Sequence, residues 1–222
     1  TEGMAVRKRV VFEQPTKTIG HQTPIQELEA LRDFTRIVAQ GHDGVSLRAV
    51  EVGSWVGESA IAIVNGFLPD VGGTVFCVDD FSGGETADPI KQAVDIMGPD
   101  AIKKQFELNC GEFFGQEIKL IEGSSLEVAS RLDPQDAHIV FLDAGHSDED
   151  ANADIQAWLP HVAADGFLCG HDYFEGWPGV IQAVNENFSD KGVGVRQIEG
   201  TSIWFVSKQE YIACLAKPTI KA

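Results

Sequence analysis

The stretch that most restricts how this chain can fold is Ala49-Val50-Glu51-Val52-Gly53-Ser54-Trp55-Val56-Gly57-Glu58-Ser59. Residues 47–52 have the length and composition of a buried strand, and the run ends in an acid, turns through two glycines and enters a helix pattern near Glu58. Glycine takes dihedrals that other residues avoid and lets a ligand approach the backbone. A strand running through such a turn into a helix N-terminus is therefore the cofactor corner of an open α/β sheet.

The spacing narrows the cofactor. A dinucleotide fingerprint, Gly-x-Gly-x-x-Gly, seats a pyrophosphate on the helix N-terminus, but Trp55 stands where its second glycine is needed. What remains is Glu51-x-Gly53-x-x-x-Gly57, and here the chain resembles class I S-adenosylmethionine-dependent methyltransferases, whose first motif is an acid, one spacer and a glycine turn. The resemblance implies Glu51 and Gly53 at the amino-acid end of the cofactor, with Ser54, Gly57 and Ser59 as further contacts. Trp55 would wall that end or simply anchor the core, and an ordinary turn without a ligand is the plain alternative.

A chain of 222 residues is long enough for one large α/β domain and short for two. Its 17 basic and 34 acidic side chains give a formal charge of -17, which repels phosphate backbones and anionic membranes. Nucleic acid and membrane are thus disfavoured as partners. The cysteines Cys77, Cys110, Cys169 and Cys214 form no C-x-x-C pair and read as reduced thiols, and neither a membrane span nor a signal-peptide pattern is visible. A cytoplasmic location is expected, and a homo-oligomer is an open option.

Ahead of the first strand, Thr23-Pro24-Ile25-Gln26 has the form of a capping box, predicting a helix over 23–40 with Leu28, Leu31, Thr35 and Val38 on one face. Gly66 and Pro69 are expected to stop the helix that follows Glu58. A second strand over 74–78 leads into Asp79-Asp80-Phe81. Asp79 lies 22 residues past Gly57, close to the ~20-residue interval at which a strand-end carboxylate takes ribose hydroxyls, with Asp80 as a second candidate and Phe81 beside them. Residues 81–116 exceed a plain crossover and predict a lid-like insertion with helices over 89–97 and 100–114. Phe106, Asn109 and Phe113 are candidates for an acceptor pocket, with core packing the better reading of the aromatics. After a third strand over 118–121, Ser124 and Ser125 suit an adenine contact and equally suit N-capping.

A second chemical corner follows. A strand over 138–142 delivers Asp143-Ala144-Gly145-His146-Ser147, and a fifth strand over 166–170 ends in His171-Asp172. Ser147 is a natural N-cap and the acids at 148–150 suit a helix start, whereas Asp143 and His146 have no such structural reason. The run 141–172 is similar to a methyltransferase group in which Leu-Asp-x-x-His, a helix closing on Leu-Pro, Gly-x-Leu and a terminal His-Asp recur together, the match covering 47–207. Relatives acting on hydroxyl compounds bind a divalent cation through acids at these strand ends. The resemblance places Asp143 and Asp172 there, with His171 adjacent, as candidate metal ligands. A histidine where a second acid is common shifts preference from magnesium toward a transition metal or none. The alternative is general-base catalysis by His146 or His171, beside Asp143, since an imidazole accepts a hydroxyl proton at neutral pH.

Strands over 193–198 and 201–207, separated by Glu199-Gly200, are the antiparallel hairpin that closes a methyltransferase sheet. The expected fold is α/β and Rossmann-like, a seven-stranded mostly parallel sheet with a terminal antiparallel hairpin and helices on both faces. The expected function is methyl transfer from S-adenosylmethionine to a hydroxyl of a small-molecule acceptor, with a divalent cation as optional cofactor. A catalytically silent methyltransferase-like binding module and a nicotinamide-dependent oxidoreductase are the alternatives.

Overall fold

The computed structural model describes residues 22–216 apart from residues 43, 69–70, 85–88 and 134–135. Its strands are β1 (Leu47–Val52), β2 (Gly73–Asp79), β3 (Ile118–Glu122), β4 (Ala137–Leu142), β5 (Val162–Gly170), β6 (Arg196–Gln197) and β7 (Trp204–Ser207). The helices are α1 (Ile25–Gln40), α2 (Glu58–Phe67), α3 (Pro89–Met97), α4 (Pro99–Cys110), α5 (Ser125–Arg131), α6 (Asp148–Trp158), α7 (Pro178–Asn187) and α8 (Lys208–Leu215). All seven strands form one sheet in the order β3-β2-β1-β4-β5-β7-β6. Strands β1 to β5 run parallel, and β7 runs antiparallel to both β5 and β6. The expected Rossmann-like sheet with its closing hairpin is thus present.

The order explains where ligands can sit. Chain progress reverses between β1 and β4, so the crossovers leave the sheet in opposite directions there and open a crevice beyond the carboxyl ends of those two strands. Helices cover both faces, which is why β1 and β4 are mostly apolar and buried along their length. Leu31, Ile63, Phe67, Ile102 and Phe106 pack on one face, and Val140, Ile155, Trp158, Val184 and Phe188 on the other.

Several expectations are corrected. Helix α1 starts at Ile25 with Pro24 as N-cap and no side-chain cap bond, so the Thr23 capping box does not form. Gly66 does not stop α2. It lies buried within it, and a Cβ there would meet Thr35 Oγ1 at 1.7 Å, so the glycine lets α1 lie against α2. The second insertion helix ends at Cys110 rather than 114, because Gly111 turns the chain with φ 53. Pro69 lies outside the described residues. Among the described residues, no helix is long and apolar enough to cross a membrane.

Candidate active site

Strand β1 delivers Glu51 and then Gly53 beside the end of β4. Gly53 has φ 82, and a Cβ there would lie 2.1 Å from the Asp143 backbone oxygen. The glycine is therefore required by the close approach of the two strand ends, whatever it does for a ligand. Gly57 is similar: with φ 85, its Cβ would meet Cys110 Sγ at 2.8 Å and the Phe106 ring at 3.1 Å. Helix α4 of the insertion thus lies on the glycine turn, and Asn109 Nδ2 donates to the Val56 carbonyl at 2.9 Å. Phe106 and Phe113 are buried in the core, and Asn109 serves the turn.

Glu51 is wholly buried, and neither of its carboxylate oxygens has a hydrogen-bond partner. Ser54 Oγ and Trp55 Nε1 are likewise buried without one. Burial pushes the Glu51 carboxyl up to about 7, and the nearby Ser54, Ser59 and Cys77 side chains draw it back only in part. Unpartnered buried polar atoms are costly and rare, so a cluster of them at one strand end points to a polar group that belongs there. Trp55 itself sits in the left-handed region at φ 44.

Asp79 holds that strained turn. Its Oδ2 accepts the backbone amides of Ser54 and Trp55 at 2.7 and 2.8 Å, and its Oδ1 accepts that of Phe81 at 2.7 Å. Phe81 is a second left-handed residue, at φ 56. Burial still raises the Asp79 carboxyl, with the three amides opposing it. A carboxylate oxygen accepts more than one donor, so Oδ1 retains capacity for a hydroxyl. Asp80 is exposed, and its Oδ1 accepts the Ser82 amide at 2.9 Å.

At the β3 end, Ser124 is the exposed N-cap of α5 but makes no side-chain cap bond. The Ser125 hydroxyl donates to the buried Asp154 and accepts Trp158 Nε1 at 2.9 Å. It fastens α5 to α6, which engages the side chain that the sequence offers to adenine. Asp154 itself is pushed up to about 6 by burial, with Ser125 opposing.

The second corner converges at the ends of β4 and β5. Asp143, His146 and Asp172 each present one donor atom, all within 4.8 Å of one another. His146 Nε2 lies 2.9 Å from Asp172 Oδ2, and its ring stacks on Trp177 with centroids 4.1 Å apart and planes 19° apart. The loop is fixed from outside by α7, where a Cβ on Gly179 would meet the His146 carbonyl at 2.7 Å. Ser147 caps α6 as expected, accepting the Asp150 amide at 3.0 Å. A small pocket is lined by Asp143, His146, Asp154, His171, Asp172 and Trp204, among others.

His171 turns the other way. Its Nε2 meets the Glu27 carboxylate of α1, and its Nδ1 lies 3.1 Å from Asp172 Oδ1 and 3.8 Å from Asp143 Oδ1. Burial works against its charge, but Asp143, Asp172 and Glu27 outweigh it and push the imidazole up to about 10. Both of its nitrogens face carboxylates, and these acids favour the protonated ring. Among the described residues, the donor atoms that lie together are those of Asp143, His146 and Asp172, and His171 stands beside that group. Asp143 is raised to about 6 by burial, with His171 and His146 opposing. Asp172 is held well below the usual carboxylate range: burial opposes its ionisation, and the two histidines outweigh it. Its backbone is left-handed, at φ 64.

Three contributors carry no signal in the sequence. Glu27 also accepts the Ser202 amide at 3.0 Å and the Ser202 hydroxyl at 3.0 Å, and an acid in a helix's first turn bears no mark of such a role. Ser202 lies in the hairpin turn. Trp177 is visible in the sequence only as a helix entry.

Comparison with known proteins agrees with this fold. The structure is similar to that of the O-methyltransferase NovP, with TM-score 0.59 and 19% identity over 82% of this chain and 79% of that one. It is also similar to a TDP-rhamnose 3'-O-methyltransferase of calicheamicin biosynthesis, with TM-score 0.58 and 19% identity over 82% and 79%. An O-methyltransferase from Bacillus cereus, solved in complex with SAH, gives TM-score 0.55 and 15% identity over 84% and 83%. A family model described as a methyltransferase domain matches residues 50–173, more than half of the sequence and the span from β1 to just past Asp172. By that match, the chain belongs to the methyltransferase-domain family.

Proposed function

We propose that this protein transfers a methyl group from S-adenosylmethionine to a hydroxyl of a small molecule. The observation that carries the proposal is the group of unpartnered buried atoms at the β1 end. A buried carboxylate on Glu51 complements an ammonium, and the Ser54 hydroxyl and Trp55 indole N–H complement a carboxylate. Together they suit the zwitterionic end of an amino-acid-bearing cofactor, at the turn between Gly53 and Gly57 and beside Ser59 in the first turn of α2. Asp79, beside Phe81, is the candidate for the ribose and Ser124 for the adenine edge.

When bound, this cofactor supplies a methyl group already activated on a sulfonium. The protein must then orient the acceptor, exclude water and remove one proton. Asp143 stands between the two corners, its backbone against Gly53 and its side chain beside the pocket. His146 is the candidate base: Asp172 stays ionised, accepts a hydrogen bond from the ring and steadies it against Trp177. The donor set of Asp143, His146 and Asp172 also fits a divalent cation, and its mixed oxygen and nitrogen character suits a transition metal better than magnesium. A small neutral or cationic acceptor is favoured over nucleic acid by the charge of -17.

Calorimetry with S-adenosylmethionine and S-adenosylhomocysteine tests the cofactor half. Binding in the micromolar range is expected, and no heat at millimolar ligand refutes it. Transfer of an isotopically labelled methyl group to a panel of small hydroxyl compounds tests the other half.

A further inference from the structure

Helix α1 lies outside the strand-helix-strand repeat, yet it reaches the second corner. Its body is fixed on the sheet: Phe34 packs edge-on against Phe167 of β5 at 5.7 Å and against Phe205 of β7 at 5.0 Å, and Thr35 sits over Gly66 of α2. This anchoring carries its first turn over the end of β5. There Glu27, with a side chain only 14% exposed, bonds Ser202 twice and meets His171 Nε2. From His171 the contacts continue through Nδ1 to Asp172 Oδ1, and from Asp172 Oδ2 to His146 Nε2. Carboxylate, imidazole, carboxylate and imidazole thus alternate in one unbroken line, which ends on the ring stacked over Trp177.

We propose that Glu27 is a positioning residue: through His171 and Asp172 it sets the ring of His146 against Trp177, so that α1 fixes the geometry of the acceptor side. The left-handed backbone of Asp172 supports this, because a non-glycine residue holds such a conformation only where its surroundings over-determine it. Each Asp172 oxygen is bonded to a different histidine, so its side chain turns only if one of them moves. Glu27 blocks that by occupying the far nitrogen of His171 and tying it to Ser202. Both ends of the line are held, one by the hairpin turn and one by the Trp177 face. The consequence for turnover rests on the methyl-transfer reading above, but the positioning itself does not.

The test is proton NMR of the folded protein, reading the His146 ring signals, which the Trp177 ring current displaces upfield. In Glu27→Ala these signals are expected to move downfield toward unstacked positions, although Glu27 does not touch His146. In Glu27→Gln, which keeps the shape and an acceptor oxygen, most of the native position is expected to return. Leu31→Ala, a core truncation on the same helix, should lower stability and leave the signals in place. Unmoved signals in Glu27→Ala, or an equal displacement in Leu31→Ala, would overturn the proposal. Should Glu27→Ala fail to fold, Glu27→Asp decides: its carboxylate is one methylene short of His171, and unmoved His146 signals would be equally fatal. Calorimetry with S-adenosylhomocysteine separates the two readings. Affinity within about twofold of native is expected in all variants, since the cofactor corner is untouched. Failure of the native protein to bind would refute the methyl-transfer reading while leaving the ring displacement to judge Glu27.

Discussion

Glu51→Gln should make the ligand-free protein more stable at alkaline pH and a poorer cofactor binder. Its carboxyl is raised from 4.5 to about 7, burial being the largest cause. A raised acid binds more protons when folded than when unfolded, so across that window stability falls as pH rises, and the full penalty is present above pH 7. At ~1.4 kcal/mol for each tenfold change in proton affinity, the full penalty is about 3 kcal/mol. Roughly 2 kcal/mol of it develops between about pH 5.5 and pH 8. Glutamine removes the titration, and any constant cost of burying its amide cancels when the two pH values are compared. Urea unfolding of both proteins at both pH values is the assay. The mutant-minus-native stability should rise by about 2 kcal/mol from the lower to the higher pH, or ~4–8 °C in Tm for a chain of this size. Affinity for S-adenosylhomocysteine should fall about 10- to 100-fold, the worth of a hydrogen bond to a charged group. Parallel pH dependences in the two proteins would refute the reasoning, because they would mean that Glu51 titrates as a solvated acid and that its buried, unpartnered state is not the state in solution.

Three further outcomes are expected. His146→Ala should cut turnover on an acceptor by about 10²- to 10⁴-fold with cofactor affinity unchanged, and full turnover would remove His146 as base. Asp79→Ala strips the acceptor from three backbone amides, and should cost ~3 kcal/mol or more in urea unfolding along with cofactor binding. Gly53→Ala drives a Cβ to 2.1 Å from a backbone oxygen, while Gly200→Ala, also at positive φ, meets nothing within 4 Å. The first should lose ~3 kcal/mol or more and the second only about 1 kcal/mol; equal losses in thermal melts would show that the β1 and β4 ends are not in contact.

What is legible in the sequence follows from which signals are local. The strand-turn-helix at 47–59, the acid at its interval and the Ser147 cap are short-range patterns, and each element appears where the sequence predicts it. Reasons are less legible than positions. In sequence, Gly53, Gly57 and Gly66 read as a ligand approach and a helix stop, but each answers to a neighbour distant along the chain: Asp143, Cys110 with Phe106, and Thr35. The role of Ser125 is hidden for the same cause, since Asp154 and Trp158 lie a helix away.

The two histidines show where a motif stops being informative. His146 and His171 both leave strand ends at the same edge, both sit near Asp143 and both bond Asp172. Nothing in the residues flanking either one ranks it above the other. Their fates separate because Glu27, brought in by an unrelated helix, adds a further carboxylate to His171 alone. Against its burial, Asp143, Asp172 and then Glu27 push the His171 imidazole up, and the two histidines in turn outweigh the burial of Asp172 and favour its ionised form. The assignment of roles follows from the field of all the charges around the pair, and that field exists only once α1, β5 and the hairpin turn have come together.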